Sequence, residues 1–361
     1  MKKFLICLLS TICTLFSMIG LVGCDNNKLT AEQIYESIAP SVVTITSISS
    51  NGISQGSGFF INDDSTVVTN YHVIENANTA IITLNNKKKY SVEKIIGFDQ
   101  SRDIAILKTS PTQASPLKIS SSQIKTGEKV YSIGTASGLS GSLSEGIIST
   151  AEREISGQSY IQTTVSVTHG NSGCPLINEY GNVIGIVSGG IGEGALELNF
   201  AIPITAINHI STNNILTQIN FNPIPTLNEG ILTVGVCADW EPYEYLENGK
   251  FKGIEIEKIT LIANYWDLQV VFVNMQYENL WEAVTNSSVD CTIGQAYTDF
   301  RGQSANFSYP LSVFPKTLDN EEWFTVVYTH INAKILANAI NCAMLYLEET
   351  GDFALIEQKY N

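Results

Sequence analysis

One change of rhythm constrains this chain more than any other feature. From about Ala31 to Ile204, Asn, Asp, Gly and Lys cut the sequence every few residues into short β-branched runs. "SVVTITSI", "SGFFIN", "TVVTNYHVI", "AIITLN", "YSVEKIIGF" and "DIAILKT" come first. "KVYSIG", "LSEGIIST", "SYIQTTVSV", "PLINEYGNVIGIV" and "LNFAIPI" follow. Such runs suit pleated surfaces, and eleven at this spacing predict an all-β double barrel or sandwich. The stretch "ITAINHIS" is expected to close it as a short helix, and the Lys87–Lys89 run to be a solvated hairpin turn.

A polar segment with two prolines then reads as a linker over 213–228. Beyond it strands alternate with helical stretches: "ILTVGVCA", an aromatic loop, "IEIEKITLIANYW", "LQVVFVNM", "ENLWEAVTN" and "DCTIGQ". That alternation predicts an α/β unit over 229–361 with a mainly parallel sheet. Its tail is an amphipathic helix interrupted at Gly351. Charge divides the same way. Residues 229–361 hold 19 acidic and 7 basic side chains, against 16 and 13 in the remainder, for −15 in total. A chain this acidic lacks the basic face that nucleic acid requires.

The first 24 residues read as an export signal: Lys2 and Lys3, an apolar run from Phe4 to Val22, then "LVGC". "LVGC" resembles a bacterial lipobox, in which Cys24 would receive lipid and tether the chain outside the cytoplasm. The alternative is an uncleaved membrane anchor, since nineteen apolar-rich residues nearly span a bilayer. Of the other cysteines, Cys174, Cys237, Cys291 and Cys342 belong to the mature chain and show no metal-type spacing. They are expected to be thiols, and no metal or cofactor is expected.

Three residues carry the chemistry. His72 ends a β-run, Asp103 opens another buried strand 31 positions later, and Ser172 sits in a Gly-Asn-Ser-Gly turn. Acyl transfer by serine needs a base within hydrogen-bond reach and a carboxylate that fixes the base's tautomer. It also needs backbone N–H groups aimed at the developing oxyanion. The order His, Asp, Ser is one of three recurrent orders. Each residue alone has a blander reading as a turn or core residue; together, on one strand framework, they point to a hydrolytic site.

"GSGFFI", "TNYHVI", "RDIAILK", "GIIS", "HGNSGCPLIN", "GNVIGI" and "NFAIP" resemble the HtrA/Deg branch of trypsin-like serine proteases. The resemblance covers residues 31–212 and implies two six-stranded barrels with the site between them. It implies His72 as general base, Asp103 as its orienter and Ser172 as nucleophile, with Gly170 and Ser172 N–H groups as the oxyanion hole. Val187, Ser188 and Gly189 would pair with extended substrate, and Phe200 and Ile202 would lie near the specificity pocket. With Ser166 six positions before the serine, small aliphatic residues are the expected preference. Cys174 stands where the family has glycine. A positive φ there would cost about 1 kcal/mol or more and loosen the turn. No PDZ domain follows, so control by such a domain is not expected.

"GILTVGVCADWEPYEYLENGKFKGIEIE", "VDCTIGQAYTDFRGQSANFSYPL" and "AINCAMLYLEETGDFALIEQKY" resemble family 3 extracellular solute-binding proteins. In that family an arginine grips an amino acid's α-carboxylate, a role falling here on Arg301, with Asp239, Trp240 and Tyr243 lining the same pocket. The second lobe is missing between "FSYPL" and "EEWFTVVYTH", so one lobe remains and amino-acid capture is expected to be weak or absent.

The sequence thus predicts a trypsin-like double β-barrel followed by a periplasmic-binding-protein-like α/β lobe. The function expected is that of a membrane-tethered, extracytoplasmic serine endopeptidase acting on unfolded or extended polypeptides. The lobe would sense or dock an amino acid or peptide. The alternative is an amino-acid receptor lipoprotein of an ABC transporter carrying an inactive protease-like domain.

Overall fold

The computed structural model describes residues 28–136, 139–167, 170–190, 198–212, 219–314 and 323–360. Cys24 and the expected export signal lie outside them. The first element is a helix the sequence reading missed, α1 (Ala31–Ile38). Thr30 and Gln33 cap it reciprocally, Gln33 N–H donating to Thr30 Oγ1 at 3.2 Å and Thr30 N–H to Gln33 Oε1 at 2.9 Å. Its buried Ile34 and Ile38 join the core between the barrels.

The first barrel comprises β1 (Val42–Ser49), β2 (Gly52–Phe60), β3 (Thr66–Thr69), β4 (Thr79–Leu84), β5 (Lys89–Asp99) and β6 (Ile104–Thr109), with a one-turn helix α2 (Tyr71–Ile74) after β3. All pairings are antiparallel, and β5 pairing with β6 closes it. The second is closed from β7 (Lys129–Ala136), β8 (Leu139–Ile155), β9 (Gln158–Thr163), β10 (Pro175–Asn178), β11 (Val183–Gly190) and β12 (Asn199–Pro203). The expected closing helix is a 3₁₀ segment, Ile204–His209.

Strand periodicity explains why the runs look continuously apolar rather than alternating. Successive side chains point to opposite faces. Val43, Ile45, Phe60, Val67, Ala105 and Leu107 fill the first barrel. Their neighbours Val42, Phe59, Val68, Ile104 and Ile106 face the second, where Tyr131, Ile133, Ile177 and Ile186 meet them. Both faces of these strands are buried, so the cleft between the barrels has a rigid floor.

After β13 (Ile219–Asn220) the C-terminal domain builds a five-stranded sheet from β14 (Ile231–Val236), β18 (Gln269–Asn274), β19 (Cys291–Ala296), β20 (Ala305–Phe314) and β21 (Trp323–His330). A small three-stranded meander, β15 (Asp239–Trp240), β16 (Glu244–Glu247) and β17 (Lys250–Lys252), lies beside it. Its helices are α3 (Ile254–Tyr265), α4 (Tyr277–Thr285), the one-turn α5 (Asp299–Gly302), α6 (Lys334–Glu349) and α7 (Asp352–Tyr360). The sheet is mixed rather than mainly parallel. β14 runs parallel to β18 and β19, whereas β21 is antiparallel to both β19 and β20. Consecutive strands with a short connection can only pair antiparallel.

Residues 213–218 of the expected linker lie outside the described residues, and from Ile219 on it is built into the fold. β13 adds to β5 through Ile219 opposite Ile95. Phe221 N–H then donates to Glu93 O at 3.0 Å and Asn222 N–H to Asn78 O at 2.8 Å. Ile48 and Ile81 of the first barrel belong to the same buried cluster as Leu336 and Ile340 of α6. Asn338 Nδ2 on α6 donates to Ser49 O at 2.9 Å. Lys89 corrects the solvated-turn expectation: its Nζ lies 3.4 Å from the Tyr265 ring centroid and 4.2 Å from that of Tyr346. Only Lys87 and Lys88 are exposed. The ammonium is held by ring faces of the C-terminal domain.

Candidate active site

Buried β3 delivers Asn70 and then α2, which carries His72. Val73 and Ile74 anchor that turn in the barrel core, and Tyr71 stacks on Phe98 at 5.1 Å. His72 is left at the mouth of the cleft with 48 % of its side chain exposed. Asp103 adopts φ +57°, a left-handed conformation that Asp tolerates better than most residues. Its Oδ1 accepts the His72 backbone N–H at 2.9 Å, and its Oδ2 lies 2.8 Å from His72 Nδ1. Ser188 Oγ also donates to Oδ2, at 3.1 Å, and Asn70 Nδ2 donates to the Asp103 carbonyl at 2.8 Å. A carboxylate so fixed holds the proton on Nδ1 and leaves Nε2 as the acceptor, the tautomer a general base requires.

The Ser172 turn depends on two glycines in the left-handed region, Gly170 at φ +94° and Gly173 at φ +88°. A Cβ on Gly173 would stand 2.0 Å from Ser57 O, so no other residue fits. Gly173 N–H donates to Val187 O at 2.8 Å and Cys174 N–H to Asn171 O at 3.0 Å. Among the described residues the N–H groups of Gly170 and Ser172 donate to nothing, and Ser172 Oγ has no hydrogen bond. Free donors beside an unpartnered hydroxyl are what an oxyanion site presents before substrate arrives.

Cys174 does not strain this turn. The left-handed conformation falls on Gly173, and Cys174 is absent from the residues with positive φ. Its side chain is wholly buried among Val130, Ile148 and Leu176. Room for the sulfur comes from Gly134, where a Cβ would lie 1.8 Å from Cys174 Sγ. With Cys237, Cys291 and Cys342 it is a buried thiol outside any disulfide.

Of the residues expected to meet substrate, Val187 is already spent. Its carbonyl accepts Gly173 N–H and its N–H donates to Cys174 O, both at 2.8 Å, so it supports the turn rather than pairing with a peptide. Ser188 and Gly189, half-buried, retain access to the cleft. Phe200 and Ile202 are buried; Phe200 meets Tyr160 edge-on at 6.1 Å, and Ile202 belongs to the core between the barrels. The sequence reading overlooked Ser57 and Asn70. Their signal was a polar residue inside an apolar run, in "GSGFF" and "VVTNYH".

The residues proposed for an amino-acid ligand fall into two clusters. Trp240 packs on Tyr243 at 4.6 Å, Phe314 at 5.2 Å and Trp323 at 5.9 Å, while Phe314 and Trp323 stack at 3.9 Å. The rings that would line a cleft therefore fill one another's space. Arg301 lies elsewhere: Nη1 donates to Ala296 O at 2.9 Å, and the guanidinium lies about 6 Å from the Tyr277 and Trp281 rings. No hydrogen bond, ion pair or ring contact joins it to Asp239, Trp240 or Tyr243. Asp239 accepts from Cys237 Sγ at 3.3 Å; burial, then Asp239, pushes that thiol up to about 11. Beneath the meander Glu244 is 1 % exposed with Oε2 unpartnered, and burial, then Glu255 and Asp239, raises its carboxyl to about 9.

Comparison with known proteins agrees with this division. Residues 56–186 match the model for a trypsin-like peptidase domain, and residues 232–361 that for bacterial extracellular solute-binding proteins, family 3. A probable periplasmic serine endoprotease DegP-like of Halomonas elongata is 40 % identical over 157 residues, covering 42 % of this chain and 33 % of that protein. Serine protease HTRA1A of Danio rerio is 36 % identical over 186 residues, covering 47 % of this chain and 38 % of the relative. The chain thus spans about a third of the length of such relatives. Among solved structures, the HtrA-type protease AlgW with a tripeptide superposes with TM-score 0.46 at 26 % identity, covering 50 % of this chain and 62 % of that one. The chain therefore carries an HtrA-type trypsin-like protease domain followed by a family 3 solute-binding domain.

Proposed function

We propose that this protein is a serine endopeptidase that hydrolyses extended polypeptides outside the cytoplasm. The observation that carries the reading is the 2.8 Å contact from His72 Nδ1 to Asp103 Oδ2, beside a Gly-rich turn whose Gly170 and Ser172 N–H groups donate to nothing among the described residues. In the mechanism His72 Nε2 takes the Ser172 proton as Oγ attacks the scissile carbonyl. The Asp103 carboxylate stabilises the imidazolium that results. The Gly170 and Ser172 N–H groups receive the oxyanion, and the imidazolium then protonates the leaving amine. Water, deprotonated by the same histidine, releases the acyl group. Ser188 and Gly189 guide the peptide along β11, and Phe200 supports the pocket from beneath.

Lipidation at Cys24 would tether the chain to the outer side of a membrane, a reading that rests on "LVGC" and on the periplasmic relatives. The C-terminal domain is read as a single lobe of a solute-binding fold that docks or senses rather than captures amino acids. Its Trp240, Tyr243, Phe314 and Trp323 rings pack on one another while Arg301 is held at Ala296 O, so the ring and guanidinium parts of an amino-acid site do not converge. The test compares casein cleavage and fluorophosphonate labelling of the wild type and Ser172→Ala. We expect cleavage to fall about 10⁴-fold or more and labelling to vanish; equal residual cleavage in both proteins removes the reading. Calorimetry on the full chain with free amino acids should show no binding, and a tight isotherm would restore the transport-receptor alternative.

A further inference from the structure

Ser57 is invisible to a triad search, yet it touches the nucleophile turn from two sides. It is fully buried near the end of β2. Its backbone N–H donates to Ser172 O at 2.7 Å, and its side-chain Oγ donates to Gly170 O at 2.8 Å. Between those carbonyls lie the peptide units that join Gly170, Asn171 and Ser172, including the one bearing the Ser172 N–H. The turn needs such a clamp, because Gly170 and Gly173 at positive φ have little intrinsic stiffness. With both flanking carbonyls clamped, the Ser172 N–H can be re-aimed only by turning its own peptide, which must pull Asn171 O from the Cys174 N–H that it accepts at 3.0 Å.

Ser57 is itself firmly placed. Its carbonyl accepts from Thr69 Oγ1 at 2.7 Å and closes against Gly173. On its N-terminal side a Cβ on Gly56 would meet Val73 at 2.5 Å, the residue after His72. One short segment of β2 thus touches the strand that leads to the base and the turn that holds the nucleophile.

We propose that Ser57 is a positioning residue that keeps the Ser172 N–H aimed at the oxyanion by clamping the carbonyls of Gly170 and Ser172 on either side of it. The proposal rests on the serine-protease reading. Alanine at this position keeps the main-chain bond to Ser172 O and removes the side-chain bond to Gly170 O. Its effect therefore belongs in the transition state, where the donors are used, and not in ground-state binding.

The test measures kcat and KM on fluorescein-labelled casein for full-length wild type, Ser57→Ala and Ser57→Cys. Each is normalised to sites titrated with a fluorophosphonate. The expected result for Ser57→Ala is a fall in kcat per titrated site of about 10- to 100-fold, with KM within about twofold. That loss is smaller than the ~10²–10³-fold of deleting an oxyanion donor outright. Ser57→Cys, near in size with a weak S–H donor, should fall between. It carries the same comparison if the alanine variant fails to fold. A merely structural role lowers the number of titratable sites and the melting temperature but leaves kcat per site unchanged. That outcome overturns the proposal while the protease reading stands. A wild type that neither cleaves nor labels removes both.

Discussion

At the scale of single residues, the turn around Ser172 shows how one dihedral angle decides what a substitution does. Cys174 departs from the family's glycine, but the left-handed residue is Gly173, one position earlier. Cys174 works as a core side chain. Cys174→Ala should therefore lower stability by about 1–2 kcal/mol, as a buried sulfur is lost from an apolar cluster, and leave kcat per titrated site unchanged. Thermal unfolding with active-site titration checks this, and a tenfold change in kcat would return Cys174 to the catalytic machinery. Gly173→Ala should behave oppositely. Its Cβ would meet Ser57 O at 2.0 Å in a strained φ, so hydrolysis should fall at least a hundredfold even where the barrels remain folded by circular dichroism.

At the scale of elements, the acidic meander of the C-terminal domain sets a pH dependence. Burial holds the Glu244 carboxyl at about 9, against an ordinary value of 4.5. Between those two values the folded chain keeps a proton that the unfolded chain releases, so stability falls as pH rises through that window. Glu244→Gln mimics the protonated form and should flatten the slope. Melting curves from pH 5 to pH 9 should show the wild type losing several degrees more than the variant. Parallel curves would mean that Glu244 is ionised in the fold. The mixed sheet belongs to this scale too. The sequence reading found β14, β18 and β19 but neither β20 nor β21, whose antiparallel pairing is what makes the sheet mixed.

At the scale of the whole molecule, the two domains share a core. Ile48 and Ile81 lie under α6, Asn338 reaches Ser49, and Lys89 sits against Tyr265 and Tyr346. Calorimetry of the full chain should therefore show one cooperative transition, whereas two well-separated transitions would mean that these contacts contribute little. Lys89→Ala should lower that transition by removing the cation between the two rings, a contact worth about 0.5–2 kcal/mol. The strand runs and the Gly-Asn-Ser-Gly turn were legible in the sequence, because β-periodicity and glycine chemistry act locally. Strand spacing left a double barrel or a sandwich open, and the strand pairings decided for two barrels. Tertiary structure alone decided which groups are already occupied. It spent Val187 on the turn, set Ser57 across from Gly170, stacked Trp240 beneath Trp323, and turned a lysine-rich hairpin into a domain contact. Each of these pairs residues far apart in the chain, and sequence spacing carries no record of which distant side chain takes a hydrogen bond or covers a ring.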